Sequence, residues 1–133
     1  ADRACVNTLD QALDVCDALD PIPAGGRPSG AIGVAVDAYH VWWDPHLQRA
    51  LGRARPERLL AYHICDWLVP TADLLLDRGM MGDGVIDLPA LRASVEGHGY
   101  RGFHEVEILS TRWWQRDPDE VLEMARERHL RCS

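Results

Sequence analysis

Three apolar runs in this chain end in groups that can hold a cation or move a proton. "AIGVAVDAYHVWWDP" carries Asp37 and His40, "LLAYHICDW" carries His63 and Asp66, and "GFHEVEIL" carries Glu105 and Glu107. Carboxylates and imidazoles are oxygen and nitrogen donors suited to a divalent cation, and a carboxylate can also take up a proton. Taken singly, Asp37 reads as a helix cap or turn former, and His63 as a hydrogen-bonded core residue. Glu107 is harder to read that way, because an unpaired charge on an inward face is costly. Together the three read as a cation site. Trp42, Trp43, Trp113 and Trp114 follow two of the runs. They suit either the core or the stacking of a sugar face.

The elements that must position these groups follow from the pattern. Strands are expected over 31–37, 59–65 and 102–109. Side chains alternate along a strand. Asp37, Ala35 and Gly33 then share one face, as do His63 and Ala61, and Glu107 and Glu105. Val34 and Val36, Leu60 and Tyr62, and His104, Val106 and Ile108 take the other. Four helices are expected. The first starts from Asn7 as N-cap, and the second from Asp44 with Pro45 at its first position. The third starts from Asp87 and ends at Gly97 or Gly99; the last starts from Asp117 and Pro118. "PIPAGGRPSG" is a loop. The stretch from Asp66 to Ile86, with Gly79, Gly82 and Gly84, is expected to be a long functional loop that closes over the site, with Arg78 at a charged tip. Alternation of strand and helix means parallel strands with right-handed crossovers, and ligands gather at the C-terminal edge of such a sheet.

The bulk properties narrow the partners. The chain has 133 residues, the length of one ordinary domain, and 47 % hydrophobic content, which argues against disorder. Its formal net charge of −7 disfavours nucleic acid and anionic membranes. No apolar run approaches the roughly 20 residues of a membrane span, and "ADRACVNTLD" does not read as a signal peptide. Cys5, Cys16, Cys65 and Cys132 form no CxxC pair, so free thiols in a cytoplasmic protein are expected. The first residue is Ala1, so a processed start or a piece of a longer chain is expected.

"VDAYHVWWDP", "YHICDW", "DRGMMGDGVIDLPALRASVEGHGYRGFHEVEIL" and "WWQRDPDEVL" together resemble the sugar phosphate isomerase/epimerase family with the xylose-isomerase-like (β/α)8 barrel. The resemblance covers almost the whole chain. It implies an α/β fold: a partial TIM barrel of about three parallel strands with four flanking helices, like the C-terminal half of the full barrel. It implies a divalent metal (Mn, Co, Mg or Zn) held by Asp37, His63 and Glu107. His40 and Arg78 would contact substrate, with Trp43 beside them. Asp66 would steady the region around the metal-bound His. The chemistry implied is proton transfer next to a carbonyl of a sugar or sugar phosphate, through an enediolate, with Glu107 as one of two carboxylates.

The sequence departs from that family in one respect. A fourth ligand, a Glu, should stand on a strand before the helix that starts near Asn7, and this sequence has no such strand. A (β/α)8 barrel also needs about 200 residues or more. Three readings follow: an isomerase or epimerase, or the part of one that carries three ligands; a non-catalytic remnant or subunit that self-associates or joins a missing N-terminal half-barrel; and an endonuclease IV-like nuclease. The net charge argues against the last.

Overall fold

The computed structural model describes residues 4–133. Helix α1 (Leu9–Leu19) packs Leu9, Leu13 and Cys16 inward. Its N-cap is Thr8, one residue after the Asn7 expected. Thr8 and Gln11 exchange side-chain-to-backbone hydrogen bonds in a capping box, since Gln11 stands at the third helical position, while Asp10 pairs with Arg49 and Arg53. Strand β1 (Val34–Asp37) leads into one helical turn, α2 (Ala38–Val41), and then α3 (Leu47–Arg53). Asp44 does not cap α3. Its carboxylate accepts from His46 N in the turn before the helix, and α3 begins two residues beyond Pro45.

Strand β2 (Leu59–Ile64) pairs parallel with β1 and with β5 (His104–Val106), giving the order β1-β2-β5. Helices α4 (Leu88–Gly97) and α6 (Pro118–Cys132) take the caps expected, Asp87 and Asp117. A short helix, α5 (Thr111–Trp114), precedes α6. The strands are shorter than their apolar runs, so Glu107 lies one residue beyond β5. Its N–H still bonds to Ile64 O at 3.0 Å.

The helix-facing layer is the core. Val36, Tyr62 and Ile64 are fully buried against Leu13, Leu51, Leu88 and Val95. His104 stacks edge-on against Tyr62 on that side. Leu60 breaks the expected alternation. The register shifts between Val34 and Ala35, so Leu59 is buried and Leu60 exposed. Gly33 permits this, since a Cβ there would strike Leu60 and the Arg58 carbonyl. The whole is an α/β unit with a partial TIM-barrel fold.

Arg78 does not sit at the expected tip of an open loop after β2; it is buried in a short antiparallel pair. Asp66–Trp67 (β3) and Arg78–Gly79 (β4) form an antiparallel pair. Arg78 N–H also bonds to Leu109 O, and Thr111 N–H to Leu76 O. The Asp66 carboxylate accepts from the N–H groups of Trp67, Gly82, Gly84 and Ile86, all at 2.9–3.0 Å. That buried carboxylate fixes where the segment runs, and it leaves Arg78 only 4 % exposed.

Candidate metal centre

The C-terminal edge of the parallel sheet gathers the polar groups. Register pairs Asp37 with His63 and His63 with Glu105, so Asp37 and His63 stand side by side on one face. Glu107, two residues beyond Glu105, joins them. One donor atom from each of Asp37, His63 and Glu107 lies within 4.8 Å of the others. His63 Nδ1 stands 3.6 Å from Glu107 Oε2, and its Nε2 stands 3.8 Å from Glu105 Oε2. Asp37 has two tasks: one oxygen caps α2 through Tyr39 N–H at 2.9 Å, and the other faces the site.

Arg78 bridges the two carboxylates of this cluster. Its Nη1 donates to Glu107 Oε2 at 2.7 Å and to Asp37 Oδ2 at 3.3 Å. Its Nη2 lies 3.3 Å from His40 Nε2, and its guanidinium carbon sits 4.5 Å over the Tyr39 ring. The field here is strong. Burial raises the Asp37 carboxyl above its ordinary range, against the pull of Arg78 and His40. Burial would raise Glu107 too, but the charge and hydrogen bond of Arg78 outweigh it and hold that carboxyl low. Burial, with Asp37 nearby, pushes the Cys65 thiol up to about 12, so Cys65 is an inert filler.

The residues fit a divalent cation. The donors are two carboxylates and an imidazole, the mixed set such ions take. Metal–ligand bonds of about 2.0–2.2 Å put neighbouring donors of a tetrahedral site about 3.4 Å apart, so donors that lie within 4.8 Å of one another would have to close in by about an ångström on binding. A positive group, the Arg78 nitrogen, already bridges the two carboxylates. Among the described residues this is the group of His, Cys, Asp and Glu side chains placed to hold a metal.

Beside it opens a cavity of about 360 Å³ whose lining includes Ala35, Asp37, Tyr39, His40, Trp43 and Trp67. The paired tryptophans divide. Trp42 packs on Trp67 and the core, while half-exposed Trp43 lines the cavity. Trp113 packs on the core and Trp114 points outward. His40 is largely exposed at the cavity rim. Tyr39, which carries the Arg78 guanidinium on its ring, escaped the sequence reading. Its position two residues after a capping Asp is the signal that could have found it, because that cap turns the chain back over the site.

Residues 1–130 match the family described as "Xylose isomerase-like TIM barrel". Protein SMc04130 from Sinorhizobium meliloti 1021 is 54 % identical and superposes with a TM-score of 0.88 over 99 % of this chain and 46 % of its own. The IolI protein, solved with a binding zinc atom, is 21 % identical with a TM-score of 0.73, covering 94 % of this chain and 43 % of its own. A xylose isomerase domain protein from Alicyclobacillus acidocaldarius is 27 % identical with a TM-score of 0.62, covering 75 % and 36 %. The chain thus spans less than half the length of each. No curated protein matches it.

Proposed function

This chain belongs to the xylose isomerase-like TIM barrel family, and on that premise we propose that it forms the metal-holding part of a divalent-metal-dependent sugar or sugar phosphate isomerase/epimerase. The observation that carries the reading is the convergence of Asp37, His63 and Glu107 at the C-terminal edge of a parallel sheet. IolI binds zinc, and zinc, manganese, cobalt or magnesium suits the same donors here. Such an ion, when bound, supplies Lewis acidity toward a carbonyl and its neighbouring hydroxyl.

The side chains divide the remaining work. Asp37, His63 and Glu107 hold the ion. Glu107 takes the proton from the carbon next to the carbonyl, and the reaction passes through an enediolate. His40 meets substrate hydroxyls from the cavity rim. Arg78 binds substrate oxygens close to the ion. Trp43 offers a flat apolar face to the sugar ring. Tyr39 and Trp67 wall the cavity and keep water from it. Return of the proton to the opposite face requires a second carboxylate, expected from the remainder of a barrel. The inward face here supports that need: Phe103, of the same parity as Glu105 and Glu107, is 89 % exposed. In isolation the chain self-associates and turns over little sugar.

The test is equilibrium dialysis against Mn²⁺ with bound metal counted per chain, followed by assay of ketose and inosose epimerisation. About one equivalent is expected, lost in Asp37→Asn and in Glu107→Gln. Metal binding that survives both substitutions refutes the site. Strong turnover by a monomeric chain refutes the need for a second carboxylate from elsewhere.

A further inference from the structure

Arg78 poses a question that the metal site does not absorb. A substrate-binding arginine should present free N–H groups to the cavity. Here Nη1 is spent on the same two carboxylate oxygens that face the metal position, at 2.7 Å and 3.3 Å. Three further contacts hold the guanidinium, while its buried Nε has no hydrogen-bond partner. Tyr39 lies under its plane, His40 Nε2 is 3.3 Å from Nη2, and Cys65 Sγ is 4.0 Å from Nη1. The backbone that carries it is locked into β4 against Trp67. This is a built position, not a side chain at rest on a surface.

We propose that Arg78 is an internal cation that occupies the metal position when no metal is bound, and that metal and Arg78 Nη1 compete for Asp37 and Glu107. The proposal rests on the metal site described above. Its logic is electrostatic. Two carboxylates, one of them buried, cannot face each other in a low-dielectric site without a positive partner. A guanidinium supplies one positive charge at hydrogen-bond distance. A divalent ion supplies two charges at about 2.1 Å and accepts the imidazole as well. A metal ion on the two oxygens that Nη1 approaches at 2.7 Å and 3.3 Å would put two cations in contact, and they repel.

Two consequences follow. The metal-free site stays ordered, because Arg78 neutralises its ligands. And Arg78 becomes free to bond substrate only after metal has released it, so metal loading precedes productive substrate binding. Such an order protects the site from engaging sugar while no ion is present to act on it.

The experiment measures the dissociation constant for Mn²⁺ by calorimetry in the wild-type chain, Arg78→Met and Arg78→Lys, with Glu107→Gln as control, and thermal melts of each with and without Mn²⁺. Loss of the competing charged hydrogen bonds should tighten Mn²⁺ binding in Arg78→Met by about ten- to a hundredfold. Arg78→Lys, which keeps the charge, should stay close to wild type. The metal-free Arg78→Met chain should melt below wild type, and Mn²⁺ should restore most of the loss. If Arg78→Met is unfolded without metal, its refolding in Mn²⁺ and not in EDTA shows that the ion takes over the charge Arg78 supplied. Mn²⁺ that binds Arg78→Met equally or more weakly, while wild type binds and Glu107→Gln does not, overturns the competition and leaves the metal site standing. Absence of binding in every chain overturns both.

Discussion

Asp66→Ala should be among the most damaging single substitutions in the chain, although Asp66 touches none of the metal-facing atoms. Its carboxylate is 1 % exposed and accepts four backbone N–H groups, three of them from Gly82, Gly84 and Ile86 across the segment. A buried N–H left without a partner costs about 1–3 kcal/mol. Three such losses sum to about 3–9 kcal/mol by that scale, and water reaching the amides of exposed Gly82 and half-buried Gly84 brings the expected loss to about 3–5 kcal/mol. A domain of this size has about 5–15 kcal/mol in all, so the variant should be marginal. Asp66→Asn retains one acceptor oxygen but turns an NH2 toward one of the two N–H pairs, and should lose about half as much. Urea denaturation gives the stability loss, and hydrogen exchange at the amides of Gly82, Gly84 and Ile86 shows where it falls. A loss below about 1 kcal/mol for Asp66→Ala, or unchanged protection of those amides, would refute the claim that this carboxylate fastens the segment.

Two further outcomes are expected. Gly84→Ala should destabilise strongly despite small size, because a Cβ at Gly84 would run into the Trp67 carbonyl and Asp66 Oδ1; a melting temperature within a degree or so of wild type would contradict that crowding. His104 and His129 stack edge-on at 5.3 Å, and burial, with Arg92 close by, lowers the proton affinity of both. A histidine held below its unfolded value of about 6.5 favours folding above that pH and loses this contribution as pH falls toward the folded value, so stability should decline from pH 7.5 to 5.5, and less so in His104→Gln; an equal slope in the variant would remove these imidazoles from the account.

The edge that gathers the candidate metal ligands was legible because strand periodicity carries it. Once three apolar runs were read as parallel strands, parity alone placed Asp37 beside His63 and Glu107 after Glu105. The caps at Asp87 and Asp117 were legible from Asp-Pro and Asp-Leu-Pro signals. What parity could not show was the segment from Asp66 to Ile86. Its glycines suggest movement, whereas Gly84 serves close approach to a carboxylate that sits sixteen to twenty residues away from the N–H groups it binds. No local pattern encodes a bond across that distance. The same reason hid the burial of Arg78, which depends on β3 and β4 meeting, and on the Tyr39 ring arriving through the turn that Asp37 caps. The bulge at Val34 and Ala35 was hidden too, since Leu59 and Leu60 are both apolar and either could have faced inward.

The pinned segment has a bearing on how this architecture can diversify. Both of its feet are bolted down: Asp66 and Trp67 at one end, Leu76 to Gly79 at the other, the latter tied by backbone bonds to Leu109 and Thr111. The stretch between them, from Leu68 to Leu75, carries exposed Val69, Leu74 and Leu75, and Leu74 borders the cavity. Changes of length or composition there can reshape the mouth that a substrate meets while Asp37, His63, Glu107 and Arg78 keep their spacing. The scaffold therefore separates the part that can be rewritten for a new ligand from the part that cannot, and a library confined to 68–75 is where altered selectivity should be sought first.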